Sequence, residues 1–502
     1  MANSPSPASK CSSFLKVLRS IFPLLALAAM VSCGGVSTRS NLGGGGGGGG
    51  GSRTVNDMLF ASDFNRIAGN APGWCPTDSA GKVAAVTTLR IWDSGMKWAD
   101  IETGPGVYDW SKMDLTVNTL ATNPNCAMGV IYTVGNTPAW ASACAGQGDP
   151  SPCLPGDTTS GFGGGVQCAP GVGVPGAFDF SCTPPSDVGS DGSGSDLQFQ
   201  TFINTLVSRY SGKIAYYEVW NEADSPNFWC PDSGSPAICA GSIPRMIRMG
   251  WDLWNIVHCA DSNAKVLSPS FHGFSSVAGG WMNLYSTTQV SAPAGSIGGC
   301  SWAAATVTGK QTFDITNFHG RGSPTSDPTG FLDVYTKAVG EIQRDGLPTA
   351  FFDDENGYIG SADAPTVDSQ AAYVAISYVL RASVTNPPIL LSAWYAWDGP
   401  QGQLQGSKAG LSYDVVAGWL SGSTIIGGCP VVGTIYSCSG TTSTGKPFTI
   451  IWDMSLLQSC NSACTTHDQP ASAFATYTDI AGDQHSISGG SAPVGYKPIL
   501  LE

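Results

Sequence analysis

The chain has 502 residues and a formal charge of −14 at pH 7, from 23 Lys and Arg against 37 Asp and Glu. This acidity excludes a nucleic-acid binder, which needs a basic surface, and disfavours a polyanionic substrate. Only 12% of the residues are charged and 42% are apolar, so the chain can bury a large core instead of remaining disordered.

The N-terminus is typical of an exported protein. A stretch with three basic residues (10–19) precedes an apolar run (21–31) that is too short to span a bilayer, so residues 1–33 are predicted to be a signal peptide. Cys33, between Ser and Gly, resembles the lipobox cysteine of bacterial lipoproteins and could carry a lipid anchor at the cell envelope; ordinary secretion is the alternative. The Gly-rich segment 34–54 predicts a flexible linker.

The 16 cysteines predict disulfide bonds, because an exported chain folds in an oxidising compartment. Without Cys11 and Cys33 they number 16 − 2 = 14, enough for seven bridges. Five close pairs are predicted to staple loops: Cys144/Cys153, Cys168/Cys182, Cys230/Cys239, Cys429/Cys438 and Cys460/Cys464. The other four need longer-range partners: Cys75, Cys126, Cys259 and Cys300. A zinc site is the weaker alternative, since no CxxC pair or His cluster accompanies them.

From residue 58 to about residue 399, short apolar runs alternate with helical patterns, as in a parallel sheet with crossover helices. The eight runs are residues 59–64, 87–93, 127–135, 214–222, 265–273, 312–320, 349–357 and 389–399. Helices are predicted at residues 196–210, 243–259, 331–344 and 370–382, where apolar residues recur at three- and four-residue spacing. The fold class is therefore predicted to be α/β, a closed (β/α)8 TIM barrel over residues 55–425.

Two segments depart from the barrel pattern. Residues 143–195, rich in Gly, Ser, Pro and Cys, follow the third strand and predict a disulfide-rich insertion, either a pinned surface loop or a wall of the substrate cleft. After a closing helix predicted at 411–420, residues 426–502 contain short β runs such as 448–452 and 498–501. They predict a small, sandwich-like, all-β C-terminal domain.

Acidic motifs end the fourth and the seventh strands. The fourth run reads YYEVWNE and ends at Glu222, and the seventh reads FFDDENG and contains Glu355. In a closed barrel these two acids can face each other across the mouth. Cleavage of a glycosidic bond needs such a pair, one carboxyl group protonated and one ionised. For either acid alone, a helix cap or an ion pair is the alternative interpretation.

The sequence resembles the retaining glycoside hydrolases of clan GH-A, and within them most closely family 39. Trp220-Asn221-Glu222 is similar to the acid/base motif of the clan, and Asp354-Glu355-Asn356-Gly357 to its nucleophile motif, with Asp354 where Thr or Ser is usual. Residues 89–110 and 137–140 resemble the regions after the second and third strands.

The resemblance implies a role for each matching residue. Glu222 would be the general acid/base and Glu355 the nucleophile that forms a covalent glycosyl-enzyme. Asn221 would hold the 2-hydroxyl of the sugar. Arg90 would support the nucleophile, with an ordinary ion pair as the alternative.

Further candidates lie at the other strand ends. His319 could bond the nucleophile or a sugar hydroxyl, with Arg321 where many relatives have Tyr, and His272 has a similar position after the fifth strand; a buried core His is the alternative for both. The aromatic candidates for stacking on a sugar are Trp394 and Trp397 on the eighth strand and, on loops, Trp140 and Trp229. Core packing is their alternative role.

These observations predict an exported retaining glycosidase that acts on polysaccharides or oligosaccharides and needs no cofactor or metal. One alternative is an endo-acting glycanase of another family in the clan, and a second is a non-catalytic carbohydrate-binding lipoprotein. The sequence contains no phosphate-binding Gly loop, no HExxH and no Ser nucleophile elbow, which leaves nucleotide-dependent, metalloprotease and esterase functions without support.

Overall fold

The computed structural model describes residues 52–65, 75–123, 125–142, 184–224, 228–229, 242–271, 280–322, 326–358, 363–399, 402–461 and 464–502. All of them belong to one compact unit, Gly48–Glu502. The predicted signal peptide with Cys33, most of the predicted insertion, and His272 lie outside the described residues. Within the described ranges, no helix has both the length and the apolar character needed to cross a membrane.

Eight parallel strands of the described chain form a barrel. They are β1 (Phe60–Asp63), β2 (Thr88–Ile91), β3 (Gly129–Thr133), β4 (Tyr216–Glu218), β5 (Lys265–Leu267), β6 (Thr316–Phe318), β7 (Phe351–Asn356) and β8 (Ile389–Trp394). Hydrogen bonds join them in the order β6-β7-β8-β1-β2-β3-β4-β5. A parallel bridge between Leu267 and Ile315 closes the circle. The predicted TIM barrel is confirmed.

The helices surround this barrel on its outer face. They are α1 (Trp98–Ile101), α2 (Ser111–Thr122), α3 (Leu197–Tyr210), α4 (Ser242–Ala260), α5 (Trp281–Thr287), α6 (Phe331–Asp345), α7 (Val367–Ser383) and α8 (Lys408–Leu420). Short 3-10 helices lie at Asp57–Leu59, Gly309–Gln311, Pro328–Gly330, Met454–Leu456 and Gln458–Asn461. Helix α7 begins before the predicted residue 370 because the Thr366 hydroxyl accepts the Ser369 N–H at 3.0 Å and caps its first turn.

The interior of the barrel is a packed apolar core. The buried side chains that fill it come from five of the strands and from Ile315, just before β6: Ala61, Ile131, Leu267, Ile315, Phe352, Leu391 and Ala393. A separate, larger core lies between the strands and the helices. Because the interior is filled, polar side chains at the carboxyl ends of the strands gather at the mouth above it.

An antiparallel sheet covers the C-terminal part of the chain. Its strands are, in spatial order, Ser52–Thr54, Thr424–Ile426, Ile435–Thr441, Pro447–Asp453, Ile499–Leu501, Thr476–Thr478 and Gln484–Ser486, with Val431–Val432 paired to Ile435–Thr441. Two-stranded ladders pair Thr466–Pro470 with Ser491–Gly495, Glu102–Gly104 with Val107–Tyr108, Val290–Ala292 with Ala305–Val307, and Gly295–Ile297 with Cys300–Trp302. The predicted all-β region is therefore present.

The edge of this sheet differs from the predicted boundaries. Ser52–Thr54 pairs with Thr424–Ile426, so these residues belong to the sheet and not to the predicted linker, and a strand crosses the predicted boundary at residue 425. Arg53 fixes the segment, because its Nη1 donates to the carbonyl groups of Arg381 at 2.7 Å and Val384 at 3.0 Å, at the end of α7.

Four disulfide bonds connect described cysteines: Cys75–Cys126, Cys259–Cys300, Cys429–Cys438 and Cys460–Cys464. The two short-range pairs match the predicted staples, and the four cysteines without close partners pair with one another. The other predicted staples contain cysteines outside the described residues.

Candidate active site

Arg90, at the carboxyl end of β2, is a fully buried cation at the centre of the barrel mouth. Its Nη1 lies 3.2 Å from Asp63 Oδ1 and 3.0 Å from Glu355 Oε2. Its Nη2 lies 2.9 Å from Glu218 Oε2, and its Nε lies 2.8 Å from Asp354 Oδ2. One guanidinium group therefore joins carboxyl groups from three strands, β1, β4 and β7.

The pKa values of two acids beside Arg90 are shifted in opposite directions. Burial would raise the pKa of Asp354, but Arg90 and His319 outweigh it and lower that pKa to about 2. For Asp63 burial is the stronger influence, and it holds the pKa well above the usual value despite Arg90. Asp354 is therefore ionised at neutral pH, whereas Asp63 keeps its proton to a higher pH than a free aspartate does.

Glu355 lies between two arginines. Arg90 Nη1 is 3.0 Å from its Oε2, and Arg321 Nη2 is 2.7 Å from its Oε1. The residue is 5% exposed, at the end of β7. Each carboxylate oxygen thus faces a guanidinium group, which compensates the negative charge of a nearly buried carboxylate.

Glu222 reaches the mouth through an unusual backbone conformation. Strand β4 ends at Glu218, and Glu222 has φ = +43°, in the left-handed region that costs energy for a residue with a side chain. The side chains of Trp220 and Glu222 therefore do not share one face: the Trp220 indole N–H donates to Phe228 O at 2.8 Å, away from the mouth. Asn221 faces inward, and its Oδ1 accepts Arg90 Nη2 at 2.7 Å.

His319, at the end of β6, connects the acids. Its Nδ1 lies 2.8 Å from Glu222 Oε1, and its Nε2 lies 3.5 Å from Asp354 Oδ1 and 3.7 Å from Glu355 Oε2. Burial would lower the pKa of His319, but the three carboxyl groups outweigh it and raise that pKa well above its usual value. His319 thus hydrogen-bonds Glu222, and it approaches Glu355, one of the two partners suggested from the sequence, only at the longer distance of 3.7 Å.

The two glutamates face each other across the mouth. One carboxylate oxygen of Glu222, one of Glu355 and a ring nitrogen of His319 all lie within 4.8 Å of one another. Glu218, His319 and Asp354 form a second group with the same spacing. Neither donor set fits a metal ion well, since an imidazolium has no free lone pair and Arg90 already supplies the cation beside Asp354.

Tyr395 is a mouth residue that the sequence analysis missed. It follows Trp394 and is half-buried; its hydroxyl group donates to Asp93 Oδ2, and its ring lies 5.1 Å from the guanidinium carbon of Arg321. Asp93 in turn pairs with Lys97 at 3.2 Å. The alternation of side chains along β8 was the available signal, because the residue after an outward Trp394 points inward.

The predicted stacking floor is not found on β8. Trp394 is fully buried against Tyr373 of α7, and its indole N–H donates to Gly402 O at 2.6 Å. Trp397 is fully buried against Tyr413 of α8, with ring centroids 5.4 Å apart. Both rings pack in the layer between strands and helices, so neither offers a face to a sugar.

The two loop tryptophans also pack against protein. Trp140 is half-buried, with its indole N–H donating to Glu102 O at 3.1 Å and its ring against Trp98. Trp229 is fully buried, and its ring lies 4.7 Å from that of Trp220. The contacts described for both rings are therefore with other protein side chains and backbone, as expected for core packing.

Two solved structures share this architecture. One is a family 39 glycoside hydrolase from the gut symbiont Bacteroides cellulosilyticus WH2, with a TM-score of 0.55 and 15% identity over 89% of this chain and 82% of that chain. Another is a glycoside hydrolase family 30 subfamily 8 xylanase from Clostridium acetobutylicum, with a TM-score of 0.51 and 13% identity over 90% of this chain and 97% of that chain. The shared feature is the fold. No protein-family model and no curated protein matches the chain.

Proposed function

We propose that this protein is a retaining glycoside hydrolase, with Glu355 as nucleophile and Glu222 as general acid/base. The observation that supports it best is the approach of the two carboxyl groups, whose oxygens lie within 4.8 Å at the ends of two barrel strands. Retaining enzymes hold their carboxyl groups about 5–5.5 Å apart, whereas inverting enzymes leave about 6.5–9.5 Å for a water molecule. The glycoside hydrolase fold of the two structural neighbours is consistent with this function.

The reaction takes two displacements. In the first, a Glu355 oxygen forms a bond to the anomeric carbon while the bond to the leaving oxygen breaks, and Glu222 gives its proton to that oxygen. In the second, the Glu222 carboxylate takes a proton from water, the water oxygen attacks the anomeric carbon, and Glu355 leaves as a carboxylate. Arg90 and Arg321 face the Glu355 oxygens throughout and compensate the charge that Glu355 loses and regains.

The proposed substrate is an oligosaccharide or a polysaccharide outside the cell. The four disulfide bonds support an oxidising compartment, and the N-terminal pattern supports export with a lipid anchor at Cys33. A tethered enzyme would act on glycans at the cell envelope.

The test uses the purified protein and a panel of aryl glycosides. Glu222→Ala should lose activity on substrates with poor leaving groups, retain it on dinitrophenyl glycosides, and form a glycosyl azide of retained configuration when azide is added. Glu341→Gln, at a buried glutamate of the outer helix α6, is the matched control and should behave as wild type. An absence of hydrolysis across the panel would favour a carbohydrate-binding protein.

A further inference from the structure

We propose that Asp354 and His319 form a positioning pair behind Glu222, which fixes the oxygen from which Glu222 donates its proton. The proposal rests on the function proposed above. It also gives a role to Asp354, the residue at which the nucleophile motif departs from the usual Thr or Ser.

The pair is buried, and its two contacts differ: His319 is hydrogen-bonded to Glu222 and makes a longer ion-pair contact with Asp354. His319 lies between the two acids, with Nδ1 2.8 Å from Glu222 Oε1 and Nε2 3.5 Å from Asp354 Oδ1. The histidine is 1% exposed and Asp354 is fully buried. Because carboxyl groups lie near both ring nitrogens, the ring is held as an imidazolium with an N–H on each side.

This arrangement decides where the proton of Glu222 resides. Since Oε1 accepts the Nδ1–H, the acidic proton belongs on Oε2. After Glu222 has donated that proton, the imidazolium also stabilises the carboxylate that forms. Asp354 is fully buried and acts through His319, so it is a positioning residue and not a catalytic one.

Several charges face His319, and their signs matter. Glu222 and Glu218 approach from the β4 side, and Asp354 and Glu355 approach from β7. The cation Arg90, on β2, pairs with Glu218, Asp354 and Glu355. Arg321, two residues after His319, pairs with Glu355.

Removing Asp354 and removing His319 should have opposite electrostatic effects on the acid/base Glu222. The negative charge of Asp354 raises the proton affinity of the His319–Glu222 unit as a whole, whichever of the two groups holds the proton. The positive charge of His319 lowers the proton affinity of Glu222. Without Asp354, the acid/base should therefore lose its essential proton at a lower pH. Without His319, Glu222 should keep that proton to a higher pH.

The experiment measures kcat/KM against pH for wild type, Asp354→Asn and His319→Gln. The basic limb should move to lower pH in Asp354→Asn and to higher pH in His319→Gln, each by on the order of one pH unit. Both variants should lose about tenfold or more on aryl glycosides with poor leaving groups, and clearly less on dinitrophenyl glycosides, which need no protonation. A displaced nucleophile would instead reduce both substrate classes equally.

A matched His–Asp pair at the opposite end of the barrel provides the control. His258 is on α4, Asp314 comes just before β6, and His258 Nε2 lies 3.1 Å from Asp314 Oδ2. His258→Gln and Asp314→Asn should leave both limbs of the profile in place. A measurement on the wild type tests the pair even if the variants fold poorly. The chain has only five histidines, so NMR signals of the imidazole nitrogens can be assigned, and they should show His319 doubly protonated at pH 7.

The outcomes separate the two proposals. Limbs that shift in the same direction, equal losses on good and poor leaving groups, or a neutral His319 at pH 7 would each overturn the positioning pair while the glycosidase function stands. Failure of azide to rescue Glu222→Ala would instead overturn the assignment of the acid/base.

Discussion

Glu218 lies under the candidate catalytic pair, and its replacement by Gln should change how stability depends on pH. Burial is the largest influence on its carboxyl group; it outweighs Arg90, is reinforced by Asp354, and raises the pKa of Glu218 from 4.5 to about 7. Between pH 4.5 and 7 the folded protein then holds a proton that the unfolded chain releases. Stability therefore falls as pH rises through this window, by 7 − 4.5 = 2.5 pH units at about 1.4 kcal/mol each, which is about 3–4 kcal/mol in total.

The assay is urea unfolding of wild type and Glu218→Gln at pH 4.5, 6 and 7.5. Because Gln cannot ionise, the free energy of unfolding of the variant relative to wild type should rise with pH by up to about 3–4 kcal/mol. Hydrogen bonds act in the opposite direction and favour the ionised form of Glu218, because Arg90, Ser270 and Asn317 all donate to its oxygens. A difference that is constant with pH, or one that grows in favour of wild type, would show that these donors keep Glu218 ionised and would refute the reasoning.

Three further predictions test the nucleophile, a buried pair of aspartates (Asp196 and Asp252) and the disulfide bonds. Glu355→Gln should abolish turnover while the fold survives, and more than about a tenth of wild-type activity would contradict its role as nucleophile. Burial and the neighbouring Asp252 hold the pKa of Asp196 well above its usual value, so Asp196→Asn should gain stability relative to wild type as pH rises above about 4; parallel melting temperatures across pH 4–8 would contradict this. Thiol titration of the denatured, unreduced protein should find fewer than two free thiols, because the cysteines pair in an oxidising compartment, and a higher number would argue against export.

The eight barrel strands could be predicted because buried parallel strands are short apolar runs that end at polar or turn residues. The exact ends of helices and strands were harder to predict from the sequence. The start of α7 depends on a cap by the Thr366 hydroxyl, and the strand Ser52–Thr54 depends on a partner more than 370 residues away. Local periodicity contains neither piece of information.

In the site, position at a strand end pointed to Glu222 and Glu355, and the family resemblance pointed to Arg90, but neither could orient the neighbouring side chains. The alternation of side chains fails where β4 ends at Glu218 and Glu222 turns left-handed, and where the register of β7 against β8 shifts between Asp353 and Asn356. On β8 the alternation holds, and it would have indicated Tyr395; Trp394 was assigned to the mouth from the family resemblance instead. The shared partner of four acids, Arg90, emerges only when three distant strands come together.

The most direct test of the proposed mechanism is the configuration of the first product. Proton NMR of an aryl glycoside digest, recorded within minutes and before mutarotation, identifies the anomer that the enzyme releases. Carboxylate oxygens within 4.8 Å of each other favour the closer carboxyl spacing of retaining enzymes over the wider spacing that accommodates an attacking water, so two displacements should give the same anomer as the substrate. Release of the inverted anomer would require direct attack by water and would contradict the assignment of Glu355 as nucleophile.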